Sequence, residues 1–244
     1  MKNFSIALIL ITGIVFFAAC KKENSDLGSQ SEEIATGKAN KPAPPTRVKT
    51  ETSGASVKTY TYNADFNSNG WLAGSLSKNY YYPDGSHIIE GGTNILETHY
   101  DVNKKGLIEK STNSNDIAYY KYNSRNQLIE RFIQSGGDVD VLTYIYNKDG
   151  NLDTLKMGPS ADIIASYQTF TYYTDKANIL NNETFGEGFR GVESKNLVKS
   201  IIMHGNNFTG TTNKTYFFDA MGRVAKVSST YNGTPLPDVS YTYY

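Results

Sequence analysis

Apolar and aromatic residues recur six positions apart along this chain, with polar residues between them that spell a tight turn. The clearest copy is Tyr144-Ile-Tyr146-Asn147-Lys-Asp149-Gly150-Asn-Leu152. Tyr144 and Tyr146 stand two apart and share one strand face, because strand side chains alternate. Asn147-Lys-Asp149-Gly150 supplies a type I turn closed by a glycine able to take the left-handed conformation of a G1 bulge. In the plain hairpin register Tyr146 faces Leu152 and Tyr144 faces Thr154. Val102-Asn103 to Ile108, Tyr122-Asn123 to Leu128 and Phe218-Asp219 to Val224 repeat the pattern, and Thr174-Asp175 to Leu180 does so more loosely. Tyr82-Pro83-Asp84-Gly85 carries the same turn with proline second, where a fixed φ is favourable.

Connections of another composition separate these turns: Gly91-Gly92-Thr-Asn94, Ser111 to Asp116, Ser135-Gly136-Gly137-Asp138 and Gly158-Pro159-Ser160. One set of turns at each end is what an antiparallel up-and-down meander requires. No helical periodicity exceeds about two turns, so the expected fold is all-β with roughly 14–16 strands. Accumulated twist limits an open sheet to about ten strands, so the meander is expected to curl into a barrel-like or nearly closed shell. Buried tyrosine hydroxyls need partners, and 19 tyrosines therefore predict a polar or hydrated interior. An integral outer-membrane barrel is the competing reading. It needs apolar residues at every outward position, whereas the expected outward bands carry Lys121, Arg131 and Asp153.

The ends of the chain add an address. Lys2, the apolar run Ile6 to Phe17 and Phe17-Ala18-Ala19-Cys20 form a signal segment, residues 1–19, with a small-residue cleavage site. Residues 20–56 follow as a tether that has no aromatic residue and holds three of the seven prolines at Pro42, Pro44 and Pro45. Such a composition cannot bury enough apolar surface to fold, and about 36 residues of coil reach roughly 35 Å. The hairpin domain is expected over residues 57–244. Cys20 is the only cysteine, so the domain has no disulfide. Lysine and arginine total 24 against 24 acidic residues, and losing Lys2 leaves 23 basic; this near-neutral balance argues against a nucleic-acid partner.

Phe17-Ala18-Ala19-Cys20 resembles a bacterial lipobox, which implies a diacylated Cys20 and a membrane as partner. Tyr216-Phe-Phe218-Asp219-Ala-Met-Gly222-Arg223-Val224 is similar to the tyrosine–aspartate repeat of Rhs-type wrapping proteins, whose repeats form β-shells. Lipobox, tether, hairpins and the segment Phe185 to Ile201 together resemble uncharacterised lipoprotein domains of Bacteroidota with a porin-like fold. That resemblance covers about residues 57–244 and implies an outer-membrane lipoprotein, facing the periplasm or the cell surface. It offers no catalytic residues.

Candidate chemistry is sparse. His87, His99 and His204 lie on different expected strands without metal-ligand spacing. Asp138 and Asp140 share a strand face behind Gly136-Gly137, the position of a solvated edge. No nucleophile elbow, zinc-binding helix motif or phosphate loop is present. Asp65-Phe-Asn67-Ser-Asn69-Gly70 matches the opening of a calcium loop, but position twelve is Leu76 and Asp65 supplies the only carboxylate. It reads as a weak calcium site or as an Asn/Gly-rich turn; no other cofactor is expected. Trp71, which follows, either pins that loop or offers a stacking face for a sugar. Asp153-Thr154-Leu155 resembles the three-residue O-glycosylation site of exported Bacteroidota proteins, on Thr154. Phe185 and Phe189, among Gly186, Gly188 and Gly191, mark the longest break in the repeat. That segment is either a crossover loop or a plug over one mouth of the shell, with both rings packed onto the shell or available to a ligand. Two functions stand: a non-catalytic lipoprotein binding a ligand, a glycan or another envelope protein, and a hydrolase of envelope or dietary polymers.

Overall fold

The computed structural model describes residues 47–62, 72–75, 78–84, 87–92 and 95–244. Cys20, the tether up to residue 46, the candidate calcium residues Asp65, Asn67 and Asn69, and Trp71 lie outside them. Eighteen strands form one antiparallel sheet among the described residues: β1 Val48–Ser53, β2 Ser56–Thr59, β3 Thr61–Tyr62, β4 Leu72–Ser75, β5 Lys78–Asp84, β6 His87–Gly92, β7 Ile95–Val102, β8 Ile108–Thr112, β9 Asp116–Tyr122, β10 Leu128–Ser135, β11 Asp138–Tyr146, β12 Leu152–Gly158, β13 Ser166–Ala177, β14 Asn196–His204, β15 Thr209–Phe218, β16 Val224–Tyr231, β17 Thr234–Pro235 and β18 Val239–Tyr243. The fold is the expected all-β meander. Its helical content among the described residues is one 3-10 turn, Gly188–Arg190.

Sequential strands pair from β3 round to β16, β18 follows on β16, and β1 lies between β18 and β2. The strict ladder breaks at Tyr60, between β2 and β3, although the Tyr60 N–H still donates to the Lys49 carbonyl at 2.9 Å. The result is a nearly closed, barrel-like shell with the first and last strands side by side.

Its domain begins earlier than residue 57. β1 is an interior strand of the sheet, and Glu51 within it is 0% exposed. Val-Lys-Thr-Glu-Thr-Ser has no apolar alternation, so its composition matches the tether. Backbone pairing on both edges and the Tyr60–Glu51 hydrogen bond hold it instead.

The turns explain the asparagines. Asn103, Asn123, Asn147 and Asp219 each accept backbone N–H groups two and four residues on, for Asn147 from Asp149 at 3.0 Å and Asn151 at 3.1 Å. The closing residue takes positive φ, 88° at Gly150 and 60° at Asn126, which is where glycine or asparagine is needed.

Each hairpin also carries a β-bulge that the plain register omits. Tyr146 pairs with Leu152 as expected, but Ile145 pairs with Thr154 and Tyr144 with Leu155, leaving Asp153 unpaired. The same skip leaves out Glu109, Ile129, Ala225 and, across the longer loop, Ala73. Bulges sharpen the right-handed twist that bends a meander into a shell. The loose copy at Thr174 to Leu180 is no hairpin. There β13 runs on to Ala177, and Asp175 pairs with Lys176 at 2.9 Å instead of capping a turn.

Outward positions are largely polar. Thr171, Ser200, Asn213 and Thr230 form one row across four strands, and Lys121 pairs with Glu130 at 2.6 Å. Tyr119 with Phe132, their rings 6.3 Å apart, Ile145, and Phe217 with Phe218 interrupt this surface. Among the described residues the outer face is not built for acyl chains.

Candidate functional site

The interior of the shell is the candidate site. Its floor is the segment 178–195, which leaves the wall after β13 and returns at β14. Phe189 is 1% exposed, and the Phe185 ring lies 5.4 Å from that of Tyr60 and 6.4 Å from that of Tyr241. Around them pack Val48, Ile88, Tyr100, Val102, Ile108, Leu197 and Val224, drawn from strands all round the shell. Backbone bonds tie the segment to the turn end: Val48 N–H to Thr184 O at 3.2 Å, Val192 N–H to Asn126 O at 2.8 Å. At Gly191, φ is 92°, and a Cβ would stand 2.7 Å from the Asn126 carbonyl oxygen and from the Tyr122 ring, so only glycine fits. The segment is therefore a plug, not a surface crossover. Phe185 and Phe189 spend their faces on protein.

Buried carboxylates fasten this floor. Tyr60 donates its hydroxyl to Glu51 at 2.5 Å. Tyr100 donates to Glu90 at 2.7 Å, and Arg190 from the plug reaches the same Glu90 oxygen at 3.2 Å while its Nε pairs with Glu187 at 3.0 Å. Burial, seconded by the neighbouring carboxylate, pushes the Tyr60 phenol far above its ordinary value. These tyrosines are donors at any pH the protein meets.

Above the floor the wall is tyrosine-lined. Tyr120, Tyr122, Tyr144, Tyr146, Tyr172 and Tyr216 stand on inward positions of β9, β11, β13 and β15 and keep part of their surface accessible. Tyr120 bonds Ser111 at 3.0 Å, Tyr172 donates to the Leu152 carbonyl at 2.6 Å, and Tyr216 to the Val198 carbonyl at 2.9 Å. Tyr122, Tyr144 and Tyr146 make no such bond to protein. Burial raises all three phenols, Tyr144 to about 12.

Three charged groups face this space that sequence reasoning missed. Arg131, expected on the outer band, pairs across with Tyr120 and Leu142 on inward positions; the bulge at Ile129 sets that face. Glu193, on the plug, accepts the Asn182 N–H at 3.0 Å. Glu193 is half-buried. Lys214 looks in from β15, its ammonium lowered by burial and supported by Glu193. Clefts of about 410 Å³ beside Tyr120 and Tyr122, and about 400 Å³ at the far rim by Asp116 and Asp138, lie at the two ends of the wall.

Burial pushes the Glu193 carboxyl up to about 7 from 4.5, against the pull of the Asn182 N–H. The folded chain then holds this proton more tightly than the unfolded chain. Stability from this group is fully present below about pH 4.5 and is lost as pH rises through about 7. Glu193→Gln should remove that loss, on the order of 2 kcal/mol by about pH 8. Urea melts of both proteins at about pH 4.5 and pH 8 check it; parallel losses would contradict it.

Other candidates stay apart. Thr154 lies on the outer face opposite Ile145 and donates to Asp153 at 2.9 Å. His99 pairs with Glu97 at 2.7 Å at the surface, and His204 stacks on Tyr167 at 4.3 Å. Among the described residues no three His, Cys, Asp or Glu side chains converge on one point.

No family model matches the chain, and no curated protein matches it. Solved structures do. A porin-like protein from Bacteroides uniformis ATCC 8492 superposes with a TM-score of 0.60 at 18% identity, over 82% of this chain and 99% of that one. A porin-like protein from Bacteroides vulgatus ATCC 8482 gives 0.58 at 15% identity over the same shares. The fold is thereby a porin-like β shell.

Proposed function

We propose that this chain is a non-catalytic binding vessel of the cell envelope, tethered to the outer membrane through a lipid on Cys20, whose lumen takes a small ligand. The observation that carries the reading is the inner face of the shell: tyrosine-lined, with Arg131, Glu193 and Lys214 on it, and floored by the plug at the turn end. A diffusion channel needs two open mouths; a vessel needs one. The polar outer face suits a domain held beside a membrane, and lipid chains supply anchoring at about 0.8 kcal/mol per buried CH₂. The hydrolase reading calls for paired carboxylates on a cleft, whereas the most buried ones, Glu51 and Glu90, are engaged in the floor.

One experiment tests anchor and lumen together. Ser229 is an inward position opposite Lys214, and lipidation blocks the sulfur of Cys20, so Ser229→Cys introduces the one reactive thiol. The full chain should sit in the membrane fraction and react with a small maleimide but slowly with a bulky polymer-linked one. Adding Cys20→Ser should move it to the soluble fraction. Retention in the membrane without Cys20 overturns the anchor; an unreactive Cys at 229 overturns the vessel.

A further inference from the structure

Arg131 is placed at a cost that the shell does not require. Its guanidinium lies over the Tyr120 ring, 5.4 Å from the centroid, and its electrostatic influence reaches Tyr144. Its Nε is sealed from solvent, its two terminal nitrogens are not, and among the described residues none of the three bonds to protein and no carboxylate pairs with the group. Cation–π contact holds the group in place without using its N–H donors. The terminal N–H groups are therefore the donors left for a ligand to meet. Tyr144 feels the guanidinium charge, and among the described residues the Tyr122, Tyr144 and Tyr146 hydroxyls make no hydrogen bond to protein and are not sealed from solvent. Tyr122 and Tyr146 close β9 and β11 at the turn end, and Tyr120 and Tyr144 stand two residues before them.

A fixed guanidinium fork matches a planar carboxylate. Phenol hydroxyls match sugar hydroxyls, and aromatic faces match the apolar face of a pyranose ring. We propose that the lumen wall of β9 to β11 is a subsite for an acidic saccharide, with Arg131 on its carboxylate and Tyr122, Tyr144 and Tyr146 on its hydroxyls. The assignment rests on the vessel reading above and adds the class of ligand. A bare inorganic anion would leave the three phenols unused.

Cellobiouronic acid and cellobiose differ by one carboxylate, and calorimetric titration of the full lipidated chain in detergent compares them. The acidic disaccharide should bind at least about tenfold more tightly. Arg131→Gln should abolish that preference, and Tyr144→Phe should weaken both sugars equally, each with an unchanged circular dichroism spectrum. Equal binding of the two sugars by the wild type, or no binding of the acidic one, overturns the subsite. Either result leaves the vessel reading to the Ser229→Cys labelling, which is independent of ligand. The wild-type comparison stands even where a variant fails to fold.

Discussion

Phe189→Ala should lower unfolding stability by about 3–5 kcal/mol. The ring is 1% exposed and sits where residues from seven strands converge with Phe185. Truncation removes its transfer energy and leaves a cavity that the surrounding wall cannot fill, because hydrogen-bonded strands do not collapse inward. Arg190, whose guanidinium lies 5.3 Å from that ring and 5.5 Å from the ring of Tyr100, loses one of its two platforms as well. Urea titration of wild type and variant reads the effect directly. A change under about 1 kcal/mol would mean the plug is not part of the cooperative core.

Arg190→Met should cost a similar amount, about 3 kcal/mol, through electrostatics instead of packing. Glu90 has 5% of its side chain exposed, and Arg190 reaches it at 3.2 Å. Methionine keeps much of the volume but takes the guanidinium away from a buried carboxylate that the Tyr100 hydroxyl also meets at 2.7 Å. Two features separate this effect from a packing loss. Removing both charges, as Glu90→Gln with Arg190→Met, should recover much of the stability. The deficit should also narrow as pH is lowered, since protonation relieves a buried carboxylate that has lost a cation. Chemical denaturation across pH checks both, and a deficit independent of pH would assign the loss to packing.

Much of this shell was legible because its turns are chemical statements. Asn or Asp first and Gly or Asn last satisfy specific N–H groups and a specific φ, and no tertiary context is needed to read them. The bulges were not legible. They follow from the curvature of the whole sheet, and Glu109, Ile129, Asp153 and Ala225 share no side-chain property. Missing them exchanged faces: Arg131 was read as outward and Tyr144 was paired with Thr154 instead of Leu155. β1 was hidden for the opposite reason, since a polar strand held by its two neighbours has the composition of a tether. The plug announced itself as a break with two phenylalanines and three glycines, but its inward course depends on closeness of Gly191 to Tyr122 and Asn126, which only the assembled shell supplies.

The central claim is a shell whose turn-end mouth is closed by residues 178–195 as part of the folded core. Hydrogen exchange of the native full-length chain, followed by peptide mass spectrometry, tests it most directly. The amides of Asn182, Val192 and Gly191, bonded to Glu193, Asn126 and Gly188, should exchange only with global unfolding, at the rate of β13 and β14. Exchange of this segment within seconds, while those strands stay protected, would contradict the account.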